Sequence, residues 1–543
     1  MTYKIVDLFA GPGGLGEGFA AYEGGTRFKI ALSAEMEASA HQTLSLRSFF
    51  RHVRGDSKAL EAYYRFCTSA DAPHPGEIAP LAWKAARSEA HQLTLGDPAH
   101  NRELDTLLDK AELKFDETVL IGGPPCQAYS LVGRSRNRGK ANYVAEEDHR
   151  HFLYREYLRI LHRSRPAVFV MENVKGILSS KVGGKLVFHD ILRDLSDPGK
   201  ALGGSTGARY TIHSLVSQTT FAPGDDPELI DASSFIIESE KYGIPQARHR
   251  VILLGVREDL GYDGRLLLSP SDELRVTDAI GCLPPLRSRL STEDSDIKWR
   301  TTVVRLAQEL QRDAQAKGME AMALQLRAGT SRLGFTLETG ALRYYKATPL
   351  SGESEYDKWV NDPYLGVWLN HESRSHMASD LARYFYTATF GQLHQRTPKG
   401  HLDFSLKGLA PDHANWESGK FIDRFRVQMP EAPSTTVTSH IAKDGHYFIH
   451  PDPGQCRSLT VREAARLQTF PDNYFFQGNR TQQYHQVGNA VPSLLANKIA
   501  KVVHAVLIGA RPAGAGRRDE IERPRTTAGS VSLGARRIRA SSA

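Results

Sequence analysis

The 543-residue chain has little cysteine: four residues, Cys67, Cys126, Cys282 and Cys456, far apart and with no C-x-x-C pair. Neither a disulfide framework nor a zinc ribbon is expected, and a reducing cytoplasm suits such usage. Long apolar runs are also missing. None reaches the ~18 residues of a membrane helix, so no spanning segment is expected. The opening Met1-Thr2-Tyr3-Lys4-Ile5-Val6-Asp7 lacks the apolar core of a secretory leader. There is no internal repeat and no acidic surplus. Lys and Arg number 69 against 62 Asp and Glu, a net charge of +7. That balance permits a polyanionic partner without establishing one.

What is present is the composition of a soluble globular protein, 40% hydrophobic and 24% charged. The length suggests more than one domain. Residues 3–9 read as a buried strand running into a glycine-rich turn and then a helix from Glu17. Further strands are expected at 28–34, 118–122, 167–171 and 250–256, with helices between several of them. Such alternation predicts an α/β fold with a mostly parallel sheet covered on both faces. A helical stretch at about 40–94 interrupts it. The pattern changes after about residue 258. Residues 299–328 read as polar and helical, and α/β character returns near Thr435–Val437, at Val461–Leu467 and in a last apolar helix at 493–508. The expected division is 1–257 and 421–508 for a split sheet domain and 258–420 for an inserted region. Residues 509–543 form a basic tail, rich in Gly, Ala, Arg and Ser, expected to be disordered.

Several segments carry chemistry. Gly11, Gly13 and Gly16 form a G-x-G-x-x-G between strand and helix, with Glu35 ending the next strand. Such a loop can bring backbone N–H groups to a ligand, and the acid can accept from ribose hydroxyls. A plain tight turn and a dinucleotide site both remain open on these residues alone. Asp97 reads equally as a third acidic contact, to an adenine amino group, or as a turn aspartate. In Gly122-Gly123-Pro124-Pro125-Cys126-Gln127, two prolines stiffen the backbone before a cysteine. That thiol is either a covalent nucleophile or an inert small hydrophobe. Glu172 ends the apolar strand 167–171, where a partly desolvated carboxyl group suits general-acid work, or caps the next turn. Arg248 and Arg250 alternate in an extended segment, so they are expected to point to one side, either gripping a base carbonyl or phosphate or lying on an exposed strand. Gln486-Val487-Gly488-Asn489-Ala490-Val491-Pro492 is a rigid turn into the last helix.

Together, and in this order, the segments resemble the DNA (cytosine-5)-methyltransferase family of the bacterial modification type. Asp7 to Gly14 is similar to its cofactor loop and Gly122–Gln127 to its nucleophile motif. Glu172-Asn173-Val174 is similar to its base-binding motif, and Gln246, Arg248 and Arg250 to its paired-arginine motif. Arg462–Pro471 and Gln486–Pro492 are similar to its two C-terminal motifs. The resemblance covers roughly 1–257 and 420–505. It implies a Rossmann-like S-adenosylmethionine-dependent methyltransferase domain split by an inserted target-recognition domain at 258–420. It implies that Cys126 adds to C6 of a flipped cytosine while Glu172 holds N3 and the amino group. Carbon C5 then takes the methyl group of S-adenosylmethionine, and loss of the C5 proton and of Cys126 restores the ring. Arg248 would contact the Cys126 turn and phosphate, and Arg250 the base O2. Phe9, Gly11, Gly13 and Leu15 would line the methionine and adenosine side. Glu35 would bind ribose, Met36 would pack on adenine, Asp97 would read its amino group, and Pro125 and Asn489 would close the pocket. No metal is called for. The implied partners are double-stranded DNA and a cognate restriction endonuclease or other defence protein, with the enzyme a cytoplasmic monomer.

Within the insertion, the His and Arg residues of Asn370–His376 are candidates for DNA contact or for a solvated helix face. Asp423–Arg426 and Ser439–Gly445 read as a DNA-facing boundary. Rival readings are the same chemistry on tRNA, a nicotinamide-dependent oxidoreductase built on the glycine loop and Glu35, and a catalytically silent DNA-binding protein. The compact RNA-directed members have a small insertion, which disfavours the first. The second leaves Pro124–Cys126 and Glu172–Val174 without a role.

Overall fold

The computed structural model describes residues 1–125, 150–182, 184–204, 207–334, 336–346, 352–411, 416 and 424–509. The expectations for Cys126, Gln127, Asp423 and the tail from 510 lie outside the described residues.

A nine-stranded sheet organises the fold. Its strands are β1 (Tyr3–Leu8), β2 (Phe28–Glu35), β3 (Ala90–Gln92), β4 (Thr118–Gly122), β5 (Val168–Val174), β6 (Tyr210–His213), β7 (Thr220–Phe221), β8 (Ile236–Glu238) and β9 (His249–Arg257). The order is β3-β2-β1-β4-β5-β9-β6-β7, with β8 also on β9. Strands β1 to β5 pair in parallel. From β5 onward every pairing is antiparallel. Parallel character is therefore confined to one half. The reversed β9 is a departure that its apolar run, buried on both faces like its parallel neighbours, could not reveal.

Alternation sends Val168 and Val170 to one core and Phe169 and Met171 to the other, as expected of a sheet covered on both faces. A register shift interrupts β2 opposite Ile5 and Val6. Phe28 and Ile30 pack in one core, but Leu32 and Ala34 pack in the other. The extra residue flips the parity of the strand end that carries Glu35.

Helix α1 (Gly14–Ala21) follows β1 directly. It crosses the last apolar helix at Gly18, where a Cβ would lie 2.5 Å from the Ser493 carbonyl oxygen and from the Asn497 nitrogen. The expected helical stretch after β2 resolves into α2 (Ala38–Val53), α3 (Ser57–Thr68), a single turn Pro75–Ile78, and α4 (Pro80–Glu89). These helices share a small core with Val367, Leu369 and Phe475.

The expected helix at 299–328 is two helices, α5 (Asp296–Ala316) and α6 (Glu320–Ser331), separated at Gly318 with φ 69°. With α7 (Ala378–His394) they build a separate core around Trp299, Leu326 and Phe385. The boundary at 258 is corrected. Leu268, Val276, Ile280, Tyr356 and Trp368 belong to the sheet's own core, so much of 258–420 packs as part of it. The chain then returns through α8 (Val461–Leu467), α9 (Arg480–Asn489) and α10 (Ser493–Gly509).

Candidate active site

The parallel strands end on one side of the sheet, and the neighbours of β1 on its two sides are β2 and β4. That change of winding direction is where open α/β sheets leave a crevice at the strand ends. The glycine loop lies there. Phe9, Gly11 and Gly13 all have positive φ, at 56°, 59° and 99°. A Cβ at Gly11 would meet nothing within 4 Å, whereas one at Gly13 would lie 2.8 Å from Leu44 Cδ1. Gly11 therefore lines open space and Gly13 faces protein.

Glu35 holds this loop from the neighbouring strand. Its Oε2 accepts from the Gly11 N–H at 2.8 Å and its Oε1 from the Glu37 N–H at 2.8 Å. Burial raises its pKa, against the pull of those two N–H groups. Met36 beside it is 59% exposed, a large apolar side chain presented to solvent at the rim. Below the loop, Asp7 is fully buried with no side-chain partner among the described residues, and burial pushes its carboxyl up to about 8. Glu17 is buried too. Burial opposes its charge, but Arg47, Arg51 and Arg54 hold it down to about 2.

The second half of the site is built by β4, β5 and β9. Glu172 and Arg250 lie on one face of an antiparallel pair, with Ile252 opposite Glu172. Diagonal neighbours in such a pair are within reach of long side chains. Arg250 Nε approaches Glu172 Oε1 at 2.8 Å as an ion pair, and Arg250 Nη1 donates to the His249 carbonyl. A Cβ at Gly123 would come 2.9 Å from Glu172 Oε2, so the glycine before the two prolines leaves room for that carboxylate. Asn173 Nδ2 donates to the Pro124 carbonyl at 3.3 Å. Glu172, Arg250 and the turn that leads through Pro125 to Cys126 are thus brought together.

One expected role is corrected, and two further residues take a structural place. Arg248 does not share the side of Arg250. The extended segment breaks at residue 248, whose N–H donates to the Gln246 carbonyl. Its buried side chain donates from Nη1 to the Val437 carbonyl at 2.7 Å and from Nη2 to the Gly488 carbonyl at 3.2 Å. It ties the returning chain to the turn before Asn489, rather than gripping phosphate. Asp97 caps the helix Pro98–Lys110, its Oδ1 accepting from the Ala99 and His100 N–H groups at 2.8 and 3.0 Å. The Leu15 side chain is buried in the core at the start of α1.

Asn489 is exposed at the end of α9. The residues after it back the loop, since a Cβ at Gly14 would lie 2.5 Å from the Val491 carbonyl oxygen. Within the insertion, His371 is buried, its ring nitrogens on Thr460 Oγ1 and the Pro284 carbonyl, both at 3.0 Å. Arg374 is buried over the Tyr484 ring and donates to the Ile441 carbonyl. His376 is buried as well. The His and Arg residues of Asn370–His376 are interior, neither a DNA-facing strip nor a solvated face.

Residues 97–505 match the model of the family described as C-5 cytosine-specific DNA methylase. The chain belongs to the C-5 cytosine-specific DNA methylase family. The methylase is 32% identical over 527 residues to the type II methyltransferase M.Bpa9945I of Bacillus paralicheniformis, covering 93% of this chain and 99% of that one. It is 27% identical to the DNA (cytosine-5-)-methyltransferase M.ApeKI of Aeropyrum pernix, covering 93% and 99%. Among solved structures, a prophage-encoded protein of E. coli assigned as a DNA modification methyltransferase aligns with a TM-score of 0.52. It has 18% identity and covers 93% of this chain and 100% of that one, a likeness of fold. The family acts on DNA and takes its methyl group from S-adenosylmethionine. Transfer of that group to cytosine C5 is the activity of this enzyme, which sets aside the oxidoreductase and the silent DNA-binding protein.

Two features of the site had no signal in the motif residues themselves. One is the bond from Asn173, inside the Glu172–Val174 motif, to the Pro124 carbonyl. The other is Tyr474, whose hydroxyl donates to the Pro12 carbonyl in the glycine loop. A tyrosine 462 residues from its acceptor carries no local spacing cue.

Proposed function

We propose that this enzyme methylates cytosine C5 within a specific duplex sequence, as the modification partner of a type II restriction endonuclease. Cys126 is the nucleophile and Glu172 the group that holds the base at N3. The observation that carries this reading is the Arg250–Glu172 ion pair set against Gly123 and Asn173-bound Pro124. Arg250 keeps the carboxylate beside Gly123 and Pro124, in the segment that precedes Cys126, and would itself meet a base carbonyl. The flipped cytosine would lie between that turn and Glu172. Unstacking it costs a few kcal/mol, which contacts in the pocket offset.

The residues present fit the methyl donor. Gly11 leaves open space, Glu35 stands at the end of β2, and the exposed Met36 offers an apolar platform beside it. Helix α1 has no side-chain cap, so its opening N–H groups are available to an anionic carboxylate. When bound, S-adenosylmethionine supplies a methyl group on a sulfonium centre. Glu35 would hold its ribose, Met36 its adenine, and Phe9, Pro125 and Asn489 would close the pocket. The segment built on α5, α6 and α7 would read the target sequence.

Transfer of tritiated methyl groups to DNA tests these roles. Cys126→Ala should abolish transfer, and Glu172→Gln should slow it by about 10²–10⁴-fold, the usual weight of a positioned acid. A duplex carrying 5-fluorocytosine should trap the enzyme through Cys126, because fluorine blocks the final proton loss. Full transfer by Cys126→Ala would remove that residue from the mechanism.

A further inference from the structure

Tyr474 belongs to the returning segment, yet it touches the loop that follows β1. Its ring is fully buried between the Arg47 guanidinium at 4.8 Å and the rings of Phe470 and Phe476 at 4.8 and 5.4 Å. Arg47 is itself fixed. It bonds Glu17 through Nε and Nη2 at 2.9 and 2.6 Å, and Asn473 Oδ1 through Nη1 at 2.8 Å. Asn473 in turn donates to Asp362 Oδ2. The Asn473 carbonyl accepts from the Tyr63 hydroxyl at 2.6 Å. Helices α2 and α3 and the returning chain thus leave the tyrosine ring one position, with its hydroxyl on the Pro12 carbonyl. Burial raises the phenol pKa, so the hydroxyl stays a donor.

The glycine loop has its other ties elsewhere. Ala10 N–H donates to the Ala34 carbonyl at 3.1 Å, Gly13 N–H to the Ala10 carbonyl at 2.9 Å, and Gly11 N–H to Glu35 at 2.8 Å. Of these, the Gly13 N–H bond acts on the Pro12–Gly13 peptide through its nitrogen, and Tyr474 holds the same peptide at its oxygen. Gly13, with φ 99°, is a residue at which this peptide can rotate once a tie is lost. A flipped peptide would turn an acceptor oxygen toward the crevice at the start of α1, where it would repel a carboxylate.

We infer that Tyr474 is a positioning residue for the methyl donor: its hydroxyl turns the Pro12 carbonyl inward and keeps the glycine loop in its ligand-binding conformation. The inference rests on the assignment of this loop to S-adenosylmethionine. It makes the helices inserted after β2 part of the cofactor site's support, through Arg47 and Tyr63.

Tyr474→Phe removes the hydroxyl and keeps the ring. Loss of one such hydrogen bond should raise the KM for S-adenosylmethionine and the Kd for S-adenosylhomocysteine about 5–20-fold. The single-turnover rate at saturating donor and the affinity for duplex DNA should stay within about twofold, since the tyrosine reaches neither the base pocket nor a described DNA-facing residue. Unchanged donor affinity would overturn the inference. So would a parallel loss of donor affinity, DNA affinity and melting temperature, the pattern of a packing defect. Glu35→Gln separates the two levels. If it weakens S-adenosylhomocysteine binding while Tyr474→Phe does not, the tyrosine's role alone fails. If neither variant changes binding, the assignment of the loop fails.

Discussion

Arg248 and Arg250 stand two residues apart and do different work. Arg250 reaches Glu172, whereas Arg248 bridges the carbonyls of Val437 and Gly488 in the interior. Burial drives the Arg248 pKa well below the ordinary arginine range, with Arg250 adding repulsion and Glu172 opposing it. Its place is kept by the two carbonyls, which only a planar fork can reach together. Arg248→Lys should therefore cost about 2–4 kcal/mol of stability, because one or both buried carbonyls lose a charged donor. Urea unfolding measures that cost. A variant with wild-type stability and weakened DNA binding would restore the phosphate-gripping role that the alternation of the two arginines suggested. Alternation held within β9 and failed one residue before it, at a break that no residue type announces.

Elements were legible where periodicity and buried faces agree. Strands β1, β2, β4, β5 and β9 and helices α8 and α10 fall where apolar runs place them. Strand direction was not legible, because β9 is buried on both faces whichever way it runs. Asp97 shows the limit for single residues. An aspartate before Pro98 suits both a ligand contact and a helix cap, and the two N–H bonds to its Oδ1 show the cap. The crossing of α1 and α10 shows what a glycine outside the loop motif does. Gly18 lies in the helix, with Ala496 Cβ 2.4 Å and the Ser493 carbonyl oxygen 2.5 Å from where a Cβ would stand. Those are backbone and short side-chain atoms that cannot swing aside. Gly18→Ala gains helix propensity of about 1 kcal/mol, but overpacking should exceed it, for a net loss of about 1–3 kcal/mol. Thermal melting of the unliganded enzyme reads this directly, and a raised melting temperature would show that the two helices are free to separate.

Over the whole molecule, the chain divides its histidines in a way that sets its tolerance of acid. His371, His376 and His450 lie in the interior where the returning chain meets strand β10 (Val367–Glu372) and helix α7. Burial lowers their pKa values to about 4, 3 and 4. Arg374 and Arg457 oppose protonation, while Glu463 favours it at His371 and His450. In the unfolded chain such rings titrate near 6.5, so between about pH 6.5 and 4 the unfolded state binds protons that the folded state refuses. Stability must then fall as pH drops through that window. Each unit of depression corresponds to about 1.4 kcal/mol, so three rings can consume most of the 5–15 kcal/mol typical of a folded domain. The carboxylates offset this loss only in part. Glu17, held down to about 2, stays charged throughout the window. Asp7, pushed up to about 8, is already protonated across it. Because it stays protonated while an unfolded aspartate ionises near 3.9, acid down to about pH 4 relieves rather than adds to the cost of burying it. The histidine contribution is the larger by number, and it lies where the returning chain packs against the segment built on α5, α6 and α7. Melting temperatures should therefore hold between pH 7.5 and 6.5 and fall from there to pH 5, and the DNA affinity should be lost with them. His371→Gln with His376→Gln should flatten the slope even if it lowers the melting temperature at pH 7.5. A melting temperature that stays constant from pH 7.5 to 5 in the unaltered enzyme would show that these rings do not remain neutral in the fold.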